Sequence, residues 1–204
     1  MKFTYLDEEE VTESPASELK AEPPQPGYFS GLITELFDTS QRSGPTAVMV
    51  TSPHRRAGVS FVCSNIAVEL ALQGESVLLV DAHALLAVRE SMPQSVTVLC
   101  RRVGPPSLWV LGMNDVLGRS ANPERLTSSQ VNAKLRELER AFTYVLIDAP
   151  ALSIGMDANI LAASVYGTLI VARANHTSNE ELKKACRILR AVGGLVLGSV
   201  SNAH

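Results

Sequence analysis

The chain has 204 residues, a formal net charge of −3 and a hydrophobic fraction of 46%, which is typical of one α/β domain with a sizeable core. The small net charge argues against nucleic acid as a partner. No apolar run reaches the roughly 18 residues that a membrane-spanning helix needs, and the acidic N-terminus is unlike a signal peptide. Three cysteines without CxxC spacing indicate reduced, buried thiols. We therefore expect a cytoplasmic protein without direct membrane insertion.

Residues 1–27 are predicted to be a disordered tail. They hold seven acidic residues, two lysines and four prolines, a composition that cannot bury enough apolar surface to fold alone. Residues 28–204 are predicted to form a single domain. Its first element is a helix beginning near Tyr28, because apolar side chains recur at helical spacing as far as Phe37.

Strands and helices then alternate along the chain. Continuous apolar runs predict strands covered on both faces, at Ala47–Val50, Ser76–Val80, Leu108–Leu111, Tyr144–Ile147, Gly167–Val171 and Leu195–Val200. Helical patterns lie at Ser60–Leu72, Ser129–Phe142, Gly155–Ser164 and Asn179–Val192. Val96–Arg102 is a candidate edge strand. The alternation predicts a three-layer α/β fold in which a mostly parallel sheet carries helices on both faces.

A short loop between the first predicted strand and its helix lies where a phosphate-binding loop is expected. It reads Thr51-Ser-Pro-His-Arg-Arg-Ala-Gly-Val-Ser60, whereas a working P-loop has the form G-x-x-x-x-G-K-S/T. Gly58 and Ser60 match that form, and Val59 stands in the lysine position. The strand–loop–helix context therefore predicts a nucleotide-binding fold that has lost much of its phosphate-binding chemistry.

Two later strands end in a carboxylate, at Asp81 and Asp148. The carboxyl ends of parallel strands line the crevice in which α/β sheets bind ligands. Each aspartate alone is a weak signal, because many strands end in Asp for reasons of turn geometry. The two together, after a strand–loop–helix unit, complete the pattern of a nucleotide site.

Residues from about 28 to 204 resemble, in order, the cytoplasmic catalytic domain of the bacterial tyrosine kinases of exopolysaccharide synthesis. The matching segments are Thr51-Ser52, Arg56-Ala-Gly58-Val-Ser60, Asn65-Ile-Ala67, Val77-Leu-Leu-Val-Asp81, Leu108-Trp-Val-Leu-Gly112, Phe142-Thr-Tyr-Val-Leu-Ile-Asp148-Ala-Pro, Asp157-Ala-Asn-Ile-Leu-Ala162, Val171-Ala-Arg173-Ala-Asn-His-Thr177 and Val196-Leu-Gly-Ser-Val-Ser-Asn202. These kinases belong to the deviant Walker ATPases, which include the Min and Par partitioning proteins. The resemblance implies a P-loop NTPase-like fold.

The resemblance also implies ATP or ADP with Mg²⁺ as cofactors. Asp81 and Asp148 match the base and the metal-site carboxylates, and Ser60 matches a further magnesium ligand. Asn202 matches an asparagine that reads the adenine. The implied nucleotide-binding residues are Gly58, Ser60, Arg55, Arg56, Arg173 and Asn202.

Several residues depart from the family pattern. Val59 removes the lysine that contacts the β- and γ-phosphates, a loss of roughly 1.5–3 kcal/mol for a charged hydrogen bond and a larger loss in the rate of phosphoryl transfer. Arg55 and Arg56 stand where the wider superfamily tends to have glycine, which lets backbone N–H groups approach the phosphates. Phe61 replaces a small hydroxyl residue, and His83 replaces a second carboxylate. The family's tyrosine-rich tail is not matched.

Three functions stay open at this point. The first is a degenerate relative of these kinases, a regulatory or scaffolding pseudoenzyme with weakened or no ATP hydrolysis. Its partner would be the cytoplasmic segment of a membrane polysaccharide co-polymerase or an active kinase paralogue, either of which would recruit it to the inner face of the membrane. The second is an active tyrosine kinase or ATPase that obtains its cation from Arg55, Arg56 or a neighbouring subunit. The third is a Min/Par-like positioning ATPase, which usually needs an intact lysine.

Overall fold

The computed structural model describes residues 2–4, 27–37, 46–88, 95–117 and 127–203. The strands in these ranges are β1 (Lys2–Thr4), β2 (Thr46–Thr51), β3 (Val77–Asp81), β4 (Arg101–Arg102), β5 (Leu108–Leu111), β6 (Tyr144–Asp148), β7 (Gly167–Arg173) and β8 (Val196–Asn202). The helices are α1 (Ser30–Leu36), α2 (Val59–Leu72), α3 (Ala82–Ala87), α4 (Met113–Leu117), α5 (Ser128–Ala141), α6 (Asp157–Ala162) and α7 (Asn179–Ala191). None of the helices in these ranges has the length and apolar character needed to cross a bilayer.

The described strands form one sheet in the order β1-β8-β7-β2-β6-β3-β5-β4. The strands from β8 to β5 run parallel, whereas β1 and β4 lie antiparallel at the two edges. The central strand β2 is buried along its whole length, as a strand covered on both faces should be. The predicted α/β fold with a mostly parallel sheet is therefore confirmed.

Each face of the sheet has its own apolar cluster, because strand residues alternate between the two faces. Val48 and Val50 of β2 pack on the face that α1 and α2 cover. Ala47 and Met49 pack on the opposite face, which α3 to α7 cover. We call the face covered by α1 and α2 the α2 face. The candidate site lies at the edge of this face where the parallel strands end.

The predicted first helix is present as α1, and a buried carboxylate fixes its beginning. Glu69 of α2 is buried and accepts hydrogen bonds from the Phe29 N–H at 3.0 Å and from the Ser30 hydroxyl. A carboxylate at a helix N-terminus satisfies N–H groups that have no partner within the helix. Apolar side chains of α1, including Leu32 and Leu36, are buried against the rest of the α2-face cluster. Polar and apolar contacts together therefore dock α1 on this face.

The prediction for the tail needs one correction. Residues 2–4 form the edge strand β1, which pairs with β8. A short backbone ladder needs no apolar composition, because main-chain N–H and C=O groups make it. Residue 1 and residues 5–26 lie outside the described residues, so disorder in the rest of the tail stays a prediction.

The prediction of an edge strand at residues 96–102 is correct only for the last two residues. The Ser95 hydroxyl accepts a hydrogen bond from the Thr97 N–H and begins a 3-10 helix at Val96–Leu99. Strand pairing follows only at β4, antiparallel to β5. A local cap thus outcompetes a strand in an apolar segment at the edge of the sheet.

Candidate functional site

Four predicted site residues lie at the carboxyl ends of the parallel strands. Asp81 ends β3, Asp148 ends β6, Arg173 ends β7 and Asn202 ends β8. Two residues before each of them lies an apolar member of the α2-face cluster, respectively Leu79, Leu146, Val171 and Val200. Strand alternation therefore directs all four side chains to the α2 face. The register places Asp81 beside Asp148 and Arg173 beside Asn202.

The loop between β2 and α2 contains two residues with a positive φ. Gly58 adopts the left-handed conformation, with φ of 86°, directly before α2. Arg56 also has a positive φ, of 72°, which is uncommon for a residue with a Cβ atom. Among the described residues, no side chain caps the N-terminus of α2. A helix N-terminus of this kind is a place where proteins commonly bind a phosphate group.

Asn202 is in contact with this loop. Its side-chain nitrogen Nδ2 donates a hydrogen bond to the Ala57 carbonyl oxygen at 2.7 Å, and the residue is only 2% exposed. A Cβ atom on Gly58 would lie 2.2 Å from the same nitrogen, so any other residue at that position would have to displace the Asn202 amide. In this structure the Asn202 amide is hydrogen-bonded to the loop. Its role in reading an adenine base stays a prediction.

Ser60 and Asp148 supply donors that fit a magnesium site. The Ser60 hydroxyl is buried and has no hydrogen-bond partner among the described residues. Asp148 is 2% exposed. Cys63 lies one turn after Ser60: burial raises the pKa of its thiol well above the usual value, and the negative charge of Asp148 raises it further. The Cys63 thiol of α2 therefore lies close enough to Asp148 to sense its negative charge.

A hydroxyl and a carboxylate are oxygen donors of the kind that Mg²⁺ accepts, and Mg²⁺ is commonly held by one or two carboxylates together with substrate phosphates. Within the described ranges, no group of three His, Cys, Asp or Glu side chains could hold a metal ion. An ion bound at Ser60 and Asp148 would therefore take further oxygens from a nucleotide or from water.

Asp81 caps α3 as well as facing the site. Its carboxylate accepts a hydrogen bond from the His83 N–H at 2.8 Å, and the ring nitrogen Nδ1 of His83 lies 3.5 Å from the same oxygen. The side-chain contact with Asp81 raises the pKa of His83; burial opposes the rise, and the negative charges of Asp81, Asp157 and Asp148 add to it. The edge of the sheet is therefore rich in carboxylates, and His83 lies among them.

The predicted cations are arranged differently from the lysine of a P-loop. Val59 is fully buried in the α2-face cluster. Arg55 and Arg56 are exposed, and Arg173 is half-buried. The residues present therefore fit the metal part of a nucleotide site, whereas the part that would bind the terminal phosphates lacks its lysine.

One contact of the loop was not predicted from the sequence. The ring nitrogen Nε2 of His54 lies 2.6 Å from Oε1 of Glu181, in the first turn of α7. Glu181 also completes a capping box with Ser178. The S-x-x-E pattern indicates the cap, but the contact with His54 joins distant parts of the chain and depends on the tertiary structure.

Solved structures with the same fold define the class of protein. The kinase domain of the Escherichia coli tyrosine kinase ETK superposes with a TM-score of 0.71 at 20% identity and covers 91% of this chain and 84% of its own. The septum site-determining protein MinD from Pyrococcus horikoshii, solved with Mg-ADP, superposes with a TM-score of 0.57 at 17% identity and covers 76% of this chain and 69% of its own. The chain therefore has the P-loop NTPase fold.

Sequence relatives show which group of proteins with the P-loop NTPase fold this chain resembles. The putative tyrosine-protein kinase CapB of Staphylococcus aureus is 24% identical over 187 residues, which are 85% of this chain and 82% of the relative. The tyrosine-protein kinase CpsD of Streptococcus pneumoniae is 27% identical over 192 residues, which are 86% and 82% of the two chains. No protein-family model matches the chain. The chain is a relative of the bacterial tyrosine-protein kinases, as its motifs indicated.

Proposed function

We propose that this chain is a degenerate relative of the tyrosine kinases of capsular or exopolysaccharide biosynthesis, a regulatory or scaffolding pseudoenzyme with weakened or no ATP hydrolysis. The observation that carries the proposal is the fully buried Val59 at the start of α2. An apolar side chain in the lysine position can neither donate a hydrogen bond to the terminal phosphates nor offset their charge.

The charges around the site support the same conclusion. A triphosphate is strongly anionic, so it needs cations to enter a site near Asp81, Asp148 and Asp157. Mg²⁺ held by Ser60 and Asp148 would supply two positive charges, and the N-terminus of α2 would supply a partial one. We expect Mg-ATP and Mg-ADP to bind about 10- to 150-fold more weakly than they would to the same site with a lysine at position 59, which corresponds to roughly 1.5–3 kcal/mol. Hydrolysis should fall further, because the lysine also neutralises charge that develops during phosphoryl transfer.

The partner that we propose is the cytoplasmic segment of a membrane polysaccharide co-polymerase or an active kinase paralogue. Similarity to tyrosine-protein kinases over more than four-fifths of the chain supports this choice, because a domain that keeps its fold can keep its binding surfaces after its chemistry is lost. Such a partner would recruit a cytoplasmic protein to the inner face of the membrane.

Isothermal titration calorimetry and a phosphate-release assay test the proposal. We expect the wild-type chain to bind Mg-ATP and Mg-ADP weakly, and to hydrolyse ATP no faster than Asp81→Ala. Val59→Lys should tighten nucleotide binding by at least about tenfold, the lower bound for restoring one charged hydrogen bond. Val59→Met is the matched control, because methionine is unbranched like lysine and neutral, so it should bind as weakly as the wild type.

Hydrolysis by the wild-type chain that Asp81→Ala abolishes would contradict a pseudoenzyme. The second candidate, an active ATP-dependent kinase or ATPase with a non-standard loop, would then be correct. The half-buried position of Arg173 favours it, since strand alternation directs this cation to the α2 face. In that case two variants identify the cation: loss of hydrolysis in Arg173→Ala would assign it to Arg173, and loss in the double change of the exposed Arg55 and Arg56 to Ala would assign it to the loop. Hydrolysis that survives both changes would assign it to a neighbouring subunit. The third candidate, a positioning ATPase, has only the shared fold of MinD in its favour.

A further inference from the structure

The N-terminal strand β1 lies beside the part of β8 that leads into the site. Lys2, Phe3 and Thr4 pair antiparallel with Ser201, Val200 and Ser199. Ser201 directly precedes Asn202, so the backbone next to this asparagine is held by β1. The strand is three residues long, and such a short ladder can open without unfolding the sheet.

The strand β7 holds β8 from the other side. Arg173 is the register partner of Asn202, and the Ala174 N–H donates a hydrogen bond to the Asn202 carbonyl at 2.8 Å. The carboxyl end of β8 is therefore paired on both sides only while β1 is in place. Without β1 it would become the edge of the sheet, where hydrogen-bonded backbone opens more readily.

Asn202 transmits this restraint to the loop. Its Nδ2 donates to the Ala57 carbonyl at 2.7 Å and occupies the space that a Cβ on Gly58 would need. A displacement of Asn202 by about 1 Å would stretch the hydrogen bond beyond its normal range. The position of residues 57 and 58 therefore depends on the position of the end of β8.

We propose that β1 is a positioning strand for the loop. Its pairing with residues 199–201 fixes Asn202, and Asn202 fixes the backbone at Ala57 and Gly58. The edge of β8 is in this view a strand-addition surface, whose occupant is Lys2–Thr4 of the same chain. Losing this occupant loosens the start of α2, which is the part of the molecule that would receive a phosphate group.

Hydrogen exchange in the nucleotide-free protein tests the coupling. Phe3→Pro combined with Thr4→Pro removes two successive backbone N–H donors, and because successive N–H groups point in opposite directions, one of the two faces β8. Phe3→Val combined with Thr4→Val is the matched control, since valine favours strands. We expect the amides of residues 57–62 to exchange about fivefold faster in the proline variant, the size expected for one lost hydrogen bond, and to be unchanged in the valine variant.

The route through Asn202 is tested by a double-mutant cycle. Asn202→Ala alone should accelerate exchange of the same amides, and the two prolines should add nothing in that background. An unchanged loop in the proline variant, an equal acceleration with and without Asn202, or a matching acceleration throughout α5 would each overturn the proposal. No nucleotide is present in these measurements, so they are independent of whether the chain binds ATP.

Discussion

Gly58 is the residue at which backbone conformation and site geometry depend on each other most directly. Its left-handed conformation turns the chain from the loop into α2, and the Asn202 side chain fills the space beside its Cα. Gly74, at the other end of α2, is also left-handed, with φ of 92°, but a Cβ there would meet nothing within 4 Å. Comparing the same substitution at the two glycines therefore distinguishes the cost of backbone strain from the cost of losing the contact with Asn202.

Gly58→Ala is predicted to destabilise the protein more than Gly74→Ala. Each change places a Cβ in the left-handed region, at a cost of about 1 kcal/mol. At Gly58 the new atom also displaces the Asn202 amide from the Ala57 carbonyl, which costs about 1 kcal/mol more. Urea unfolding of the two variants measures the difference in the free energy of unfolding.

The same pair of changes in an Asn202→Ala background supplies the control. Once the amide is absent, Gly58→Ala and Gly74→Ala should cost the same. If Gly58→Ala remains the more costly of the two there, the contact with Asn202 is not the source of the difference.

The N-terminal cap of helix α7 depends on the charge of Glu181. Hydrogen bonds from the Ser178 backbone and hydroxyl lower the pKa of Glu181, and His54 lowers it further. A carboxyl whose pKa is lower in the folded state stabilises the fold above its unfolded pKa of about 4.3, and this contribution is lost as the pH falls through the folded value. The capping box of α7 should therefore weaken in acid.

Glu181→Gln is predicted to lose part of this pH dependence. Glutamine can keep the hydrogen bonds of the capping box but carries no charge. The wild type should be more stable than this variant at neutral pH, by at most about 1 kcal/mol for a pair this exposed. This advantage should shrink as the pH falls from about 5 through the lowered pKa of Glu181. Urea unfolding across this range measures it. Glu180→Gln, in the same turn, is the control, and an identical narrowing in that variant would refute a specific role of Glu181.

The docking of helix α1 depends on the buried carboxylate of Glu69. Glu69→Ala removes the acceptor of the Phe29 N–H and the Ser30 hydroxyl and should lower the free energy of unfolding by about 1–3 kcal/mol. Glu69→Gln keeps an acceptor oxygen and should cost less. Gln73→Ala, an exposed change at the end of α2, should stay within about 0.5 kcal/mol. Unchanged unfolding of Glu69→Ala and unchanged exchange of the α1 amides would show that the apolar contacts alone dock the helix.

On the scale of the whole molecule, the topology of the sheet brings the candidate site together. The strands that end in Asp148, Arg173 and Asn202 lie on the two sides of β2 in the order β8, β7, β2, β6, although the three residues come from well-separated parts of the chain. The loop that follows β2 therefore emerges in the middle of the group. This is the arrangement in which open α/β sheets bind ligands at the carboxyl ends of their strands.

Local sequence patterns predict the α/β class, the six parallel strands and most of the helices, because apolar periodicity, caps and glycines act over short distances along the chain. The same patterns predict that Val59 stands in the lysine position of a P-loop, since a P-loop is a local motif. Three contacts become evident only in the folded chain: the hydrogen bond from Asn202 to Ala57, the contact of His54 with Glu181 and the pairing of residues 2–4 with β8. These contacts join residues far apart in the chain, and strand pairing of this kind leaves no local pattern, since main-chain groups that every residue carries make it.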